Sequence, residues 1–246
     1  MRSLGRPIAL PASADRRGRV WLIDLDDTLH DAQSAIMPRI NQAMTEYVAR
    51  HVGLSLAEAG ALRRRYWERY GATLLGMIIH HQVDPHHYLR ETHPFPDLER
   101  LVRRSSKLAR ALARLPGRRV ILTNAPWDYA RRVVRSLGIA SVLEGIVAIE
   151  TMRFAGRLQP KPSAPMMRRI AARLRAPASR CTLVEDSVNN LARARAARVA
   201  SVLVTGLNES RRPPHARSRA GSARPAGLQV QSISHLARRL HARAAH

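Results

Sequence analysis

Acidic residues are scarce in this sequence: 18 Asp and Glu stand against 42 Lys and Arg, a formal charge of +24 over 246 residues. Cysteine is almost absent. Cys181 stands alone, which excludes an internal disulfide. No apolar stretch is long enough to cross a bilayer, and the Arg-bearing N-terminus lacks the apolar run of a secretory signal. Glycine-rich loops of the Walker or dinucleotide type are missing, as is any internal repeat. These absences lead us to expect a cytoplasmic protein without a membrane span. The excess charge is concentrated at the ends. Residues 1–19 carry a net +4 and residues 210–246 a net +8 with no acid at all. We read 1–19 and 209–246 as flexible basic segments, with a short helix over Ser232–Ala245 as the exception. Such segments can touch nucleic acid non-specifically, although a GC-rich coding sequence explains the preference for Arg equally well.

Where acid is rare, its clustering is informative. The apolar run Val20-Trp-Leu-Ile23 stops abruptly at Asp24, Asp26 and Asp27. A buried strand ending in acid puts carboxylates at the carboxyl end of a sheet, where ligands bind in open α/β folds. Side chains at i and i+2 share a face of an extended chain, so Asp24 and Asp26 can address one ligand. A hard cation such as Mg²⁺ relieves the repulsion between such carboxylates and leaves room for phosphate. Three later segments extend the pattern. Arg119 to Asn124 is a second apolar strand ending in Thr123 and Asn124, with Pro126 suited to the first turn of a helix; Thr123 and the amides beyond it can bind phosphate oxygens. Lys161 lies between Pro160 and Pro162, a point charge suited to a transferring phosphoryl group. Cys181 to Ser187 is a third apolar strand ending in Glu185 and Asp186, which could complete a metal site.

Each segment alone is weak, but their order is specific. The four motifs Asp24-Leu-Asp-Asp-Thr28, Ile121-Leu-Thr-Asn124, Pro160-Lys-Pro162 and Val184-Glu-Asp-Ser187 resemble those of the haloacid dehalogenase superfamily of phosphohydrolases, over roughly residues 20–204. The resemblance implies an α/β fold, a Rossmann-like parallel sheet with an inserted all-helical cap. It implies Asp24 as nucleophile, Asp26 as acid and base, and Thr123, Asn124 and Lys161 around the phosphate. It also implies Mg²⁺ held by Asp24, Glu185, Asp186 and the main-chain carbonyl of Asp26. Members that remove halide typically lack the second Asp. We therefore expect phosphomonoester hydrolysis through an aspartyl-phosphate, and a small phosphorylated metabolite as partner.

The stretch from 31 to 115 reads as helical: 35–51, 55–70, 73–81, near 85–91, and 97–115 with a break. Ser55 and Glu58 form a capping box. This stretch is the expected cap, with the core over 20–30 and 116–208. The segments Ile36 to Asn41, Arg65 to Met77 and Asn189-Asn-Leu191 resemble pyrimidine 5′-nucleotidases, which suggests UMP or CMP as substrate. Sugar phosphates or phosphoglycolate are the alternatives, as is a basic nucleic-acid-associated protein on a phosphatase-like scaffold. Asp27 and His30 depart from that family, which has Asn and Tyr there. Tyr66, Trp67, Tyr70 and Thr73 are the expected base-facing patch. His80, His81, His86, His87 and His93 lack Cys or acidic ligands at matching spacing, so they are read as solvated surface rather than a zinc site.

Overall fold

A computed structural model describes residues 18–154, 156–207 and 227–244. Strand β1 (Val20–Ile23) is buried at every position, as expected for a central strand covered on both faces. Six helices follow before the second strand: α1 (Ile36–Val52), α2 (Leu56–Tyr70), α3 (Thr73–His81), α4 (Pro85–Thr92), α5 (Leu98–Leu101) and α6 (Ser106–Ala113). The chain then alternates through β2 (Arg118–Leu122), α7 (Trp127–Leu137) and β3 (Gly145–Val147). A small hairpin, β4 (Arg153–Phe154) and β5 (Arg157–Leu158), precedes α8 (Ala164–Arg173), β6 (Cys181–Glu185), α9 (Val188–Ala196) and β7 (Ala200–Val204). Beyond the undescribed stretch lie β8 (Leu228–Val230) and α10 (Ile233–Ala244). Among the described residues, no helix is long and apolar enough to cross a membrane.

The six-stranded sheet has the order β3-β2-β1-β6-β7-β8 and is parallel throughout. From β1 the chain builds outward through β2 and β3, then returns to β6 on the other side. The switch point therefore falls between β1 and β6, and a crevice opens beyond their carboxyl ends. One face of the sheet is covered by Met166, Met167 and Ile170 of α8 with Leu191 and Ala194 of α9. The other face carries α7, α6, α10 and the start of α1. Local signals hold at several ends. Ser55 and Glu58 cap α2 reciprocally, and Gly138 ends α7 in the left-handed conformation at φ 72°.

Two expected boundaries need correction. Residues 31–115 are not one unit. Phe95, Leu98, Val102, Ala111, Leu112 and Leu115 are buried among Trp21, Ile23 and Ile121, so α5 and α6 belong to the main core. The insert's own core is Tyr47, Val48, Ala59, Leu74, Met77, Tyr88 and Leu89, closed by Ile149 from the main body. The segment 209–246 is not wholly a tail either. β8 pairs with β7, and Val230, Ile233, Leu236 and Ala237 are buried against the sheet. A three-residue strand after a long polar stretch gives little periodicity to read. The expected flexibility of 1–17 and 208–226 falls outside the described residues.

Candidate active site

The register of β1 and β6 builds the site. Ile23 pairs with Val184, and Asp24 N–H donates to the Val184 carbonyl at 2.9 Å, so Asp24 and Glu185 emerge side by side where the two strands end. Lys161 reaches them from the loop before α8. Its Nζ is hydrogen-bonded to Asp24 Oδ1 and, at 2.8 Å, to Glu185 Oε2, and the residue is only 2% exposed. Oxygens of Asp24, Glu185 and Asp186 lie within 4.8 Å of one another. Three carboxylates with one ammonium leave an excess of negative charge, and an all-oxygen set suits a hard divalent cation. The cluster can hold a metal ion.

Electrostatics follow from that crowding. Burial pushes the carboxyls of Asp24 and Glu185 above the ordinary range against the pull of Lys161; Asp186 adds to the rise in both, Asp26 to that of Asp24, and Asp24 to that of Glu185. Burial disfavours the Lys161 ammonium, yet Asp24 and Glu185 outweigh it and hold the group above the usual lysine value. The lysine is therefore a fixed positive charge.

Asp26 is turned elsewhere. Its carboxylate is not part of the acidic trio; Oδ1 accepts from Tyr129 Oη at 2.6 Å and from His30 Nε2 at 2.9 Å. Burial opposes ionisation of Asp26, but these two bonds prevail and hold its carboxyl below the ordinary range. The turn after β1 makes this possible. Asp27 takes φ 60°, its N–H donates to the His30 carbonyl at 3.0 Å, and its carboxylate accepts from Ala32 N and Gln33 N at 3.2 and 3.1 Å. Asn and Asp tolerate this left-handed conformation better than most residues, so Asp27 does the work an Asn would do there.

Thr123 and Asn124 end β2 beside the site, with different tasks. Thr123 Oγ1 accepts from Ala125 N at 3.0 Å, and its hydroxyl proton remains available to an anion. The Asn124 side chain is engaged with the lysine loop. Its Nδ2 donates to the Lys161 carbonyl and its Oδ1 accepts from Lys161 N, both at 2.9 Å, so it fixes the lysine loop. The insert closes over the same loop. Gly71, at the α2–α3 turn with φ 80°, lies so near Pro162 that a Cβ there would stand 2.7 Å from the proline Cδ.

The expected base-facing patch is mostly a helix seam. Tyr66 packs on Gly76, whose Cβ would meet the ring at 2.1 Å, and its hydroxyl shares a 2.8 Å hydrogen bond with His81. Tyr70 pairs with His80 at 2.7 Å, and buried Thr73 donates to the Arg63 carbonyl at 3.1 Å. Trp67 is 55% exposed. None of the four lines the cleft of about 530 Å³ between insert and core, which is bounded by His86, Arg90, His93, Phe95, Tyr129 and Glu150 among others. The histidines likewise differ from a simple solvated set. His93 is half-buried against the Tyr129 ring, and burial pushes its pKa down to about 4 against the opposing charge of Asp26. From sequence, Tyr129 is left out and His93 is placed among the solvated histidines. A usable signal existed for Tyr129: it occupies the first turn of the helix leaving β2, which faces the carboxyl end of the sheet.

Comparison with known proteins agrees with this architecture. Phosphate metabolism protein 8 of Saccharomyces cerevisiae is 25% identical over 151 residues, which cover 57% of this chain and 46% of that protein. The chain thus spans less than half the length of that protein. L-2-haloacid dehalogenase from Xanthobacter autotrophicus superposes with a TM-score of 0.56 at 16% identity, covering 91% of this chain and 98% of that one. A phosphatase of the same superfamily from Thermococcus onnurineus gives 0.55 at 17% identity, with coverages of 90% and 97%. At these identities the structures speak for the fold alone. The model of the haloacid dehalogenase-like hydrolases, however, matches residues 19–198, well over half of the sequence, and the chain belongs to that family.

Proposed function

We propose that the chain is a Mg²⁺-dependent phosphomonoesterase working through an aspartyl-phosphate on Asp24. The observation that carries this reading is the pairing of a buried carboxylate with a fixed ammonium, Asp24 with Lys161, beside a second carboxylate, Asp26, held apart by its own donors. An Asp24 oxygen attacks phosphorus in line, and the bond from phosphorus to the ester oxygen breaks. The electron pair of that bond stays on the departing oxygen, which takes a proton from Asp26 in its protonated form, a minor form because the two donors on Asp26 favour the carboxylate. A water then attacks phosphorus of the acyl phosphate and gives its proton to Asp26, which releases phosphate and restores the Asp24 carboxylate. Lys161 and the Thr123 hydroxyl offset the charge of the phosphoryl oxygens through both steps. Asp24, Glu185 and Asp186 would hold the cation, with the Asp26 carbonyl as the further ligand that the family resemblance suggests. When bound, it supplies charge neutralisation for the phosphoryl group.

A halide needs no proton to leave, so a well-held Asp26 favours an oxygen leaving group over dehalogenation. The cap role of the insert rests on the seating of Gly71 over Pro162 and on the cleft between α4 and α7. That cleft is within the usual size of small-molecule sites and is our choice for the leaving group. A pyrimidine nucleoside 5′-monophosphate is the substrate supported by the insert's sequence pattern, with sugar phosphates and phosphoglycolate next. Measuring phosphate release across these esters with Mg²⁺ tests the reading. Turnover of UMP and CMP above the rest is expected; no release from any ester would overturn it.

A further inference from the structure

The two donors on Asp26 do something the reaction scheme above does not use. Tyr129 Oη and His30 Nε2 come from different parts of the chain, α7 and the turn after β1, yet both converge on one oxygen, Oδ1, at 2.6 and 2.9 Å. Two donors occupy the lone pairs of that oxygen and favour the ionised carboxylate, so a proton that Asp26 takes up or passes on must be carried on Oδ2. A carboxyl held at one oxygen can neither spin about its Cβ–Cγ bond nor present the wrong oxygen. The Tyr129 ring is itself held. His93 meets it edge-on at 5.7 Å between centroids and Phe95 at 5.9 Å, both from the segment that leads back from the insert.

We propose that Tyr129 and His30 form a two-point clamp that positions Asp26, fixing Oδ2 as the oxygen that gives the proton to the leaving group and later takes it from water. His93 and Phe95 brace the clamp from the segment between α4 and α5. The inference rests on the phosphomonoesterase reading. It adds two positioning residues outside the four motifs. Tyr129 also lines the cleft assigned to the leaving group, so action through Asp26 is what the double variant below isolates.

The test uses the full chain with Mg²⁺ and two esters, an alkyl phosphate with a poor leaving group and p-nitrophenyl phosphate with a good one. The readout is kcat/KM, which covers events up to loss of the leaving group. Tyr129→Phe keeps the ring and its packing and removes only the hydroxyl. It should lower kcat/KM for the alkyl ester about 10-fold or more and leave the aryl ester within about twofold, because only a poor leaving group needs the acid. His30→Leu should show the same split, and His30→Gln, which retains an N–H donor, should recover most of the loss. In an Asp26→Asn background Tyr129→Phe should cost nothing further, since residues acting through one group are not additive. Equal losses on both esters, or an undiminished effect in the Asp26→Asn background, would overturn the clamp while leaving the phosphatase reading intact. A wild-type protein that releases phosphate from neither ester would overturn both.

Discussion

Replacing Lys161 by Met separates the stabilising role of its charge from the catalytic one. The ammonium is almost fully buried and is hydrogen-bonded to Asp24 and Glu185, with Asp186 close by. Met preserves much of the volume but strands the carboxylates, and removing one partner of a buried pair costs about 3–5 kcal/mol. The carboxyls can evade part of this by taking up protons, since both Asp24 and Glu185 already lean that way. A loss near 3 kcal/mol in chelator is therefore expected from urea unfolding, at the lower end of that range. Mg²⁺ at about 100 times its dissociation constant should return about 2.7 kcal/mol by mass action. Turnover should not return. A cation held by Asp24, Glu185 and Asp186 does not supply the hydrogen-bonding ammonium that Lys161 brings from its own loop, and loss of one such stabilising group costs about 10²–10³ in rate. Recovery of rate together with stability at high Mg²⁺ would refute the reasoning, because Lys161 would then be only a counter-ion.

Asp186→Ala should raise the Mg²⁺ concentration needed for half-maximal turnover or abolish activity, and excess chelator should silence the wild type; turnover that ignores chelator would refute metal dependence. Trp67→Ala should leave KM for UMP within about twofold because Trp67 lies outside the cleft, whereas Arg90→Ala, on its wall, should raise KM for nucleotides more than for a small aryl phosphate. His93 has a folded pKa of about 4 against 6.5 for the free side chain, so the unfolded chain binds more protons between those values. Its contribution is present above pH 6.5 and is lost as pH falls toward 4, by at most about 3 kcal/mol. Unfolding free energies at pH 7 and 4.5 should therefore diverge more in the wild type than in His93→Gln.

The acidic end of the sheet is legible in sequence because strand ends and clustered carboxylates coincide. An apolar run stopping at Asp24, another at Thr123 and a third at Glu185 give both a parallel sheet and its active edge. Lys161 is legible for a different reason, its confinement between prolines. What could not be read depends on tertiary contact. Tyr66 and Tyr70 have the composition of a stacking face, but only the approach of α3 through Gly76 makes them a seam. The bonds of the Asn124 side chain to both the N–H and the carbonyl of Lys161 appear only once the lysine loop is in place. β8 is three residues long, separated from β7 by a stretch with no apolar period, and owes its strand character to the free edge it joins.

The central claim is that Asp24 carries the phosphoryl group, and acid quenching during steady turnover tests it most directly. Wild-type protein mixed with excess ester and Mg²⁺, quenched in acid and digested, should yield one peptide heavier by a single phosphoryl group, mapped to Asp24 and sensitive to hydroxylamine as an acyl phosphate must be. Asp24→Asn should yield none and turn over nothing. Full turnover with no trapped adduct, or a phosphoryl group mapped to any other side chain, would contradict the account.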